Sequence, residues 1–305
     1  MTRIAAVALA LAALSSAAAL AAGQTAQVVA RITTGLHPCS ETGGYGAVWV
    51  GNLGDDTVAR IDPKTNRVTG KVKVEAQPCG IGGGAVWVDG YGTGVVERID
   101  PLRMKVVKRI QVTLAQSLWD VTFGAGSVWG TDWGKDLVIR IDPRTNRVVA
   151  RIKVPGAASN LRYGAGAIWV GSQSISSIFR IDPATNTVTS IDTGQSSPDS
   201  LAVTDDAVWV SARLSGTVVR VDPKTRAVVA TIKVGLAPSN PAVAPNGIVF
   251  VPLKAENKVA EIDPATNSVI GKIAVGRGPF PAAEAFGDIW VPNSSGRQVF
   301  RIRPS

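Results

Sequence analysis

Short runs in which apolar and polar residues alternate with a period of two recur along almost the whole chain, and that period reads as β-strand. Each copy carries an aromatic flanked by β-branched or small apolar residues: Trp49, Trp87, Trp129, Trp169, Trp209, Phe250 and Trp290, at spacings of 38, 42, 40, 40, 41 and 40. Thirteen residues after each aromatic stands a second marker, Asp62, Asp100, Asp142, Asp182, Asp222, Asp263 and, in the last copy, Arg303, and every one is followed by Pro. In the first copy the alternation predicts strands over 47–50, 57–61 and 68–74, with a shorter strand before Gly43-Gly44. Four strands in about 40 residues is the size of one propeller blade.

The turn Asp62-Pro63-Lys64-Thr65-Asn66 explains why the third and fourth strands fold back. Asp caps the turn through its carboxylate, Pro fixes φ at the next position, and Asn tolerates φ > 0. Asp142–Asn146 and Asp182–Asn186 repeat it. The last copy stops at Ser305 after its third strand, whereas Gln27-Val28-Val29-Ala30-Arg31-Ile32 reads like a detached fourth strand; compare Arg147-Val148-Val149-Ala150-Arg151-Ile152. The chain is therefore expected to be all-β: a seven-bladed β-propeller with four-stranded antiparallel blades, its ring closed by an N-terminal strand at 27–33 pairing into blade seven. Such closure removes a free sheet edge.

Residues 1–22 stand apart. Arg3 precedes an apolar, alanine-rich stretch that ends in Ala19-Leu20-Ala21, the pattern of a secretory signal peptide. That leaves 23–305 as one propeller domain, periplasmic or secreted, with no later stretch apolar enough to span a membrane. Losing Arg3 with the leader takes the formal net charge from +9 to +8. In an oxidising compartment Cys39 and Cys79 are expected to form a disulfide. Both follow a Pro at equivalent points of adjacent blades, about 6–7 Å apart in a seven-fold ring, at the outer limit of reach.

Residues 221–238, Val-Asp-Pro-Lys-Thr-Arg-Ala-Val-Val-Ala-Thr-Ile-Lys-Val-Gly-Leu-Ala-Pro, and their near copy at 262–279 resemble the YVTN family of propeller repeats. The resemblance implies the fold, in a family spanning cell-surface proteins and DNA-binding periplasmic proteins. The Trp-containing strand is also similar to that of the virginiamycin B lyase family, which implies a top-face site of histidines and a glutamate around a magnesium ion. This chain has one histidine, His37, so that chemistry does not carry over.

Binding in a propeller concentrates in the loops that vary on a rigid frame. Here these are the loops between blades and those joining second to third strands, which share the top face. Two of the eight tryptophans lie off the repeat position, Trp119 and Trp133, both assigned to the variable loops of blade three. With Asp120, Asp132, Asn160, Arg162 and Tyr163 they make the first candidate ligand site, for a small molecule, peptide or protein. Further top-face candidates are His37, Glu41, Tyr91, Asp199, Arg213, Asn240, Lys254, Arg277, Phe280 and Glu284. No catalytic signature, metal motif or cofactor motif is present. An enzymatic alternative is a lyase or hydrolase using a top-face carboxylate, with a divalent cation near Glu41, Asp199 or Glu284. Opposite, the turn residues Lys64, Arg67, Arg103, Lys105, Arg144 and Arg147 form a basic flank, the residue basis for binding nucleic acid or another polyanion. Blade six reads Glu261-Ile262-Asp263 where five blades read Arg-Ile-Asp or Arg-Val-Asp, and blade seven reads Arg301-Ile302-Arg303. These opposite departures on adjacent blades predict an ionic ladder between them. The protein is expected to be a monomer.

Overall fold

The computed structural model describes residues 26–75, 77–83 and 86–305; the leader expected at 1–22 lies outside them. Among the described residues the alternating runs form seven four-stranded antiparallel sheets. In blade one, Pro38–Gly44, Ala47–Asn52, Thr57–Asp62 and Arg67–Lys73 pair in chain order. Gln27–Thr33 pairs antiparallel with Gln298–Arg303 and completes the sheet of Asp288–Pro292 and Ala283–Ala285. Blade seven is thus built from both ends of the described chain, and Gln298–Arg303 has a partner on both sides.

The core lies between the sheets rather than inside any one of them. Trp49 packs with Ile81, Val86 and Val88 of blade two, Phe250 with Ile289 and Val291 of blade seven, and Trp290 with Val48 and Val50 of blade one. All seven repeat aromatics are essentially inaccessible to solvent. A broad ring spans the gap between two stacked sheets, which is why the position takes Trp or Phe. Its buried N–H finds a partner close by: Trp49, Trp129, Trp169 and Trp290 each donate to a backbone carbonyl five residues back, at 2.9–3.1 Å.

Opposite each of the six repeat tryptophans, the third strand places Arg in register, as in Trp49↔Arg60 and Trp129↔Arg140. In five blades the guanidinium lies over the indole, 4.8–6.0 Å from its centre. From there four of the five, all but Arg60, reach the Asp-Pro turn of the following blade. Arg140 donates to Pro183 O and Asn186 Oδ1, Arg220 to Pro264 O and Asn267 Oδ1, and Arg301 to Pro63 O and Asn66 Oδ1.

That clasp overturns the expected ladder. Arg301 and Arg303 both pair with Asp288 of their own blade, at 2.5 and 3.4 Å, and Glu261 has no ion pair among the described residues. The reason is positional. A clasping Arg needs the next blade's Asp-Pro turn, and blade seven reads Arg303-Pro304 where the others carry Asp-Pro. Glu261 pairs in register with Phe250, so blade six lacks both the indole and the cation that would lie on it.

Candidate functional site

The loops of the top face are held by a bond repeated in every blade. The residue four after the repeat aromatic donates its N–H to the loop entering the inner strand: Leu53 to His37, Tyr91 to Gln77, Trp133 to Ser117, Gln173 to Ala157, Arg213 to Ser197, Lys254 to Ala237 and Ser294 to Gly278, at 2.8–3.3 Å. Turn side chains brace the same loops, with Asp56 accepting from Gln77 N and Asp136 from Ala157 N.

This scaffold frames a cavity of about 570 Å³ at the mouth of the central channel. Two rings of side chains line it. Six of the seven residues at the position four after the aromatic face it, all but Trp133. The inner ring is the second residue after each of those loop carbonyls: Cys39, Cys79, Trp119, Ser159, Asp199, Ser239 and Phe280, one per blade.

The cavity gathers eight of the candidate residues: His37, Tyr91, Trp119, Asn160, Asp199, Arg213, Lys254 and Phe280. Trp119 belongs to the inner strand Leu118–Gly124 rather than to a loop, and it meets Tyr91 edge to face with ring centres 6.0 Å apart. Cys39 and Cys79 are joined in a disulfide with Cα atoms 5.0 Å apart, nearer than the ring estimate. Asp89 accepts from the N–H of Cys79 and Gly80 and so holds that loop. His37 takes a left-handed φ of 51° and donates from Nδ1 to Ser294 O at 2.9 Å.

Asp120, Arg162 and Asn240 lie deeper, around a small void beneath the cavity. Asp120 accepts from Asn160, Arg162 and the N–H of Leu161 at 2.7–3.2 Å, so these groups satisfy one another and lock blade three to blade four.

Other candidates stand elsewhere. Asp132 is buried, accepts from the Thr113 hydroxyl, and repeats the Asn52–Thr34 bond of blade one. Trp133 stays outside the cavity, its indole donating to Gln116 O at 3.1 Å. Tyr163 pairs with Ile168 two residues from the inner hairpin, and Glu284 accepts from Gly287 N. Both therefore lie at the end of the channel opposite the cavity, because an inner strand that enters at the top has crossed the ring by its last residues. Arg277 is exposed on the rim, outside the cavity. Glu41 occupies the position that holds Ile81, Val121, Leu161 and Leu201 in other blades. Both its oxygens are buried without a partner, and burial holds its carboxyl well above the usual range, against the opposing pull of Arg162. Glu41, Asp199 and Glu284 therefore share no site, and among the described residues no group of three or more Asp, Glu, His or Cys is placed to hold a metal.

The basic flank is exposed on the Asp-Pro turn face. Asp62, Asp100 and Asp142 stand among those cations. Each is held below the usual carboxylate range by N–H groups of its own turn, and Arg103 pairs with Asp100 at 3.0 Å.

Searches for related proteins return structural likeness alone. The chain is similar to a streptogramin B lyase (14% identity, 92% of this chain and 97% of that one, TM-score 0.79). It is also similar to virginiamycin B lyase from Staphylococcus aureus (15%, 90% and 99%, TM-score 0.77) and to the WD40 propeller domain of Doa1 (13%, 93% and 98%, TM-score 0.78). At such identities the likeness concerns the fold. No family model and no curated protein matches the sequence, so the YVTN likeness rests on the repeat phrase itself.

Sequence reasoning missed Leu53, Gln173, Ser159, Ser239 and Ser294, which line the cavity but carry no unusual chemistry. The repeat phase holds the signal for them. Every residue two after a loop carbonyl, and all but one four after an aromatic, point into the same space.

Proposed function

We propose that this is an exported propeller that binds a small ligand, or a short segment of a partner, in the cavity at the top of its channel. The observation that carries this reading is the composition of the cavity wall. A scaffold repeated seven times presents side chains that vary around the ring at two positions, while the turns of the opposite face stay near copies. Apolar and aromatic groups with a few convergent polar ones are what a ligand pocket needs. A disulfide on the wall suits an oxidising compartment. The WD40 likeness agrees with a binding propeller. A lyase or hydrolase reading would fall on Asp199, the one carboxylate among the described residues that line the cavity. Burial raises its pKa while Arg213, 2.7 Å away, opposes the rise.

The test compares two tryptophans of blade three. In a thermal-shift screen of small molecules, hits should lose at least about tenfold in affinity in Trp119→Ala and be unchanged in Trp133→Ala, with both variants folded by circular dichroism. Hits that survive Trp119→Ala but not Trp133→Ala would move the site off the channel and end the reading.

A further inference from the structure

The cavity is divided by polarity. Blades one to three contribute His37, Cys39, Leu53, Cys79, Tyr91 and Trp119, with no Asp, Glu, Lys or Arg among them. Across the channel, blades five and six contribute Asp199, Arg213, Ser239 and Lys254. Asp199 is already taken: Arg213 Nε donates to it at 2.7 Å, and a second nitrogen of Arg213 reaches Ser197 Oγ at 3.3 Å. Lys254 has no carboxylate within ion-pair distance among the described residues, and its ammonium lies 5.1 Å from the centre of the Phe280 ring. It is open to solvent yet stands on a concave wall of protein. That crowding, with the Arg213 charge beside it, holds the amine below the usual lysine range. Backbone bonds from Ser239 N to Pro252 O and from Lys254 N to Ala237 O set these two residues side by side. Ser239 is 3% exposed, and its hydroxyl has no partner. One cation in excess therefore stands across the cavity from an aromatic wall, beside an idle hydroxyl that is closed off from solvent.

We propose that the cavity takes a small anion with a planar apolar body, an aromatic carboxylate in its simplest form, headgroup on Lys254 and ring against Tyr91 and Trp119. This rests on the reading of the cavity as a binding site. An anion gives Lys254 a charge-assisted hydrogen bond, stronger at a wall partly withdrawn from water. A neutral ligand of the same shape would cover Lys254 and leave it unpaired, which is costly. A cation would meet Lys254 and Arg213 at close range. The flat body fits because edge and face of the indole and phenol both favour aromatic partners.

The experiment uses the mature chain and two probes of equal shape, 2-naphthoate and neutral 2-naphthamide, titrated by calorimetry at low and high salt. The acid should bind about tenfold tighter than the amide, the gain of a charge-assisted bond, and the gap should narrow as salt rises. In Lys254→Gln, and in Lys254→Met if the first variant melts early, the gap should close to within about threefold while the amide keeps its affinity. Trp119→Ala should weaken both probes alike. Equal binding of acid and amide, or a gap that survives both Lys254 variants, overturns the anion assignment and leaves the cavity reading standing. If neither probe binds at millimolar concentration, both readings fall.

Discussion

Glu41 is the least comfortable residue in the ring. It faces the blade seven–blade one core at a position that other blades fill with Ile, Val or Leu, and neither oxygen is hydrogen-bonded. A carboxyl whose folded pKa lies above its unfolded value costs little extra below that unfolded value, near 4.5. It then destabilises the fold progressively as pH rises toward the folded value. Glu41→Leu should therefore stabilise the protein by about 1–3 kcal/mol at pH 8, the cost of an unsatisfied buried polar group, and by less at pH 4. Urea unfolding at the two pH values measures this. A loss of stability, or a gain independent of pH, would show that the carboxyl is solvated or paired after all.

The Asp-Pro turn and the clasping Arg form the second scale. The turn's last residue adopts a left-handed φ of 51–64° in six blades, and Asn fills it in four: Asn66, Asn146, Asn186 and Asn267. Blades two and five carry Met104 and Arg226 instead. In those two places the preceding blade's Arg makes no turn contact: Arg60 donates to Thr69 in its own blade, and Arg180 has no side-chain hydrogen bond among the described residues. Asn accepts the left-handed conformation more readily than Arg and supplies the amide oxygen that Arg140, Arg220 and Arg301 use. Arg226→Asn should thus raise stability by roughly 1 kcal/mol, from reduced backbone strain and a new Arg180 clasp. A higher melting temperature together with loss of that gain in Arg180→Ala identifies the clasp as the source. An unchanged or lower melting temperature would argue against it.

At the scale of the whole molecule, one strand decides whether the ring is shut. Gln27–Thr33 makes the outer edge of blade seven and places Ile32 in the core with Trp290 and Val48. Deleting it would bare the edge of Gln298–Arg303, a template for pairing with other chains. The truncated protein should aggregate or melt far below the full-length one, as light scattering and calorimetry would show. An unchanged melting temperature with a monomeric elution profile would refute closure by this strand.

Fold class, blade number and closure were legible in the chain because they depend on local period and on repeat phase, which a linear sequence displays directly. Seven aromatics in phase with seven Asp-Pro or Arg-Pro pairs admit few other arrangements. The site was legible only in part. Trp119 and Trp133 looked alike as off-phase tryptophans, yet one enters the channel on an inner strand and the other stays outside the cavity, its indole held by Gln116 O. Asp120 and Arg162 looked like ligand groups until the ring set blade three against blade four, where each became the other's partner. Tyr163 and Glu284 were assigned to the wrong end because the sequence names an inner strand without saying how far along it the channel has been crossed. Which charges pair across blades depends on distances between residues some 40 positions apart. The expected Glu261–Arg301 ladder failed because Asp288, in the same sheet, was nearer. Periodicity decided the frame; only the closed ring decided which side chains share its cavity, since that is settled by contacts between blades and not within them.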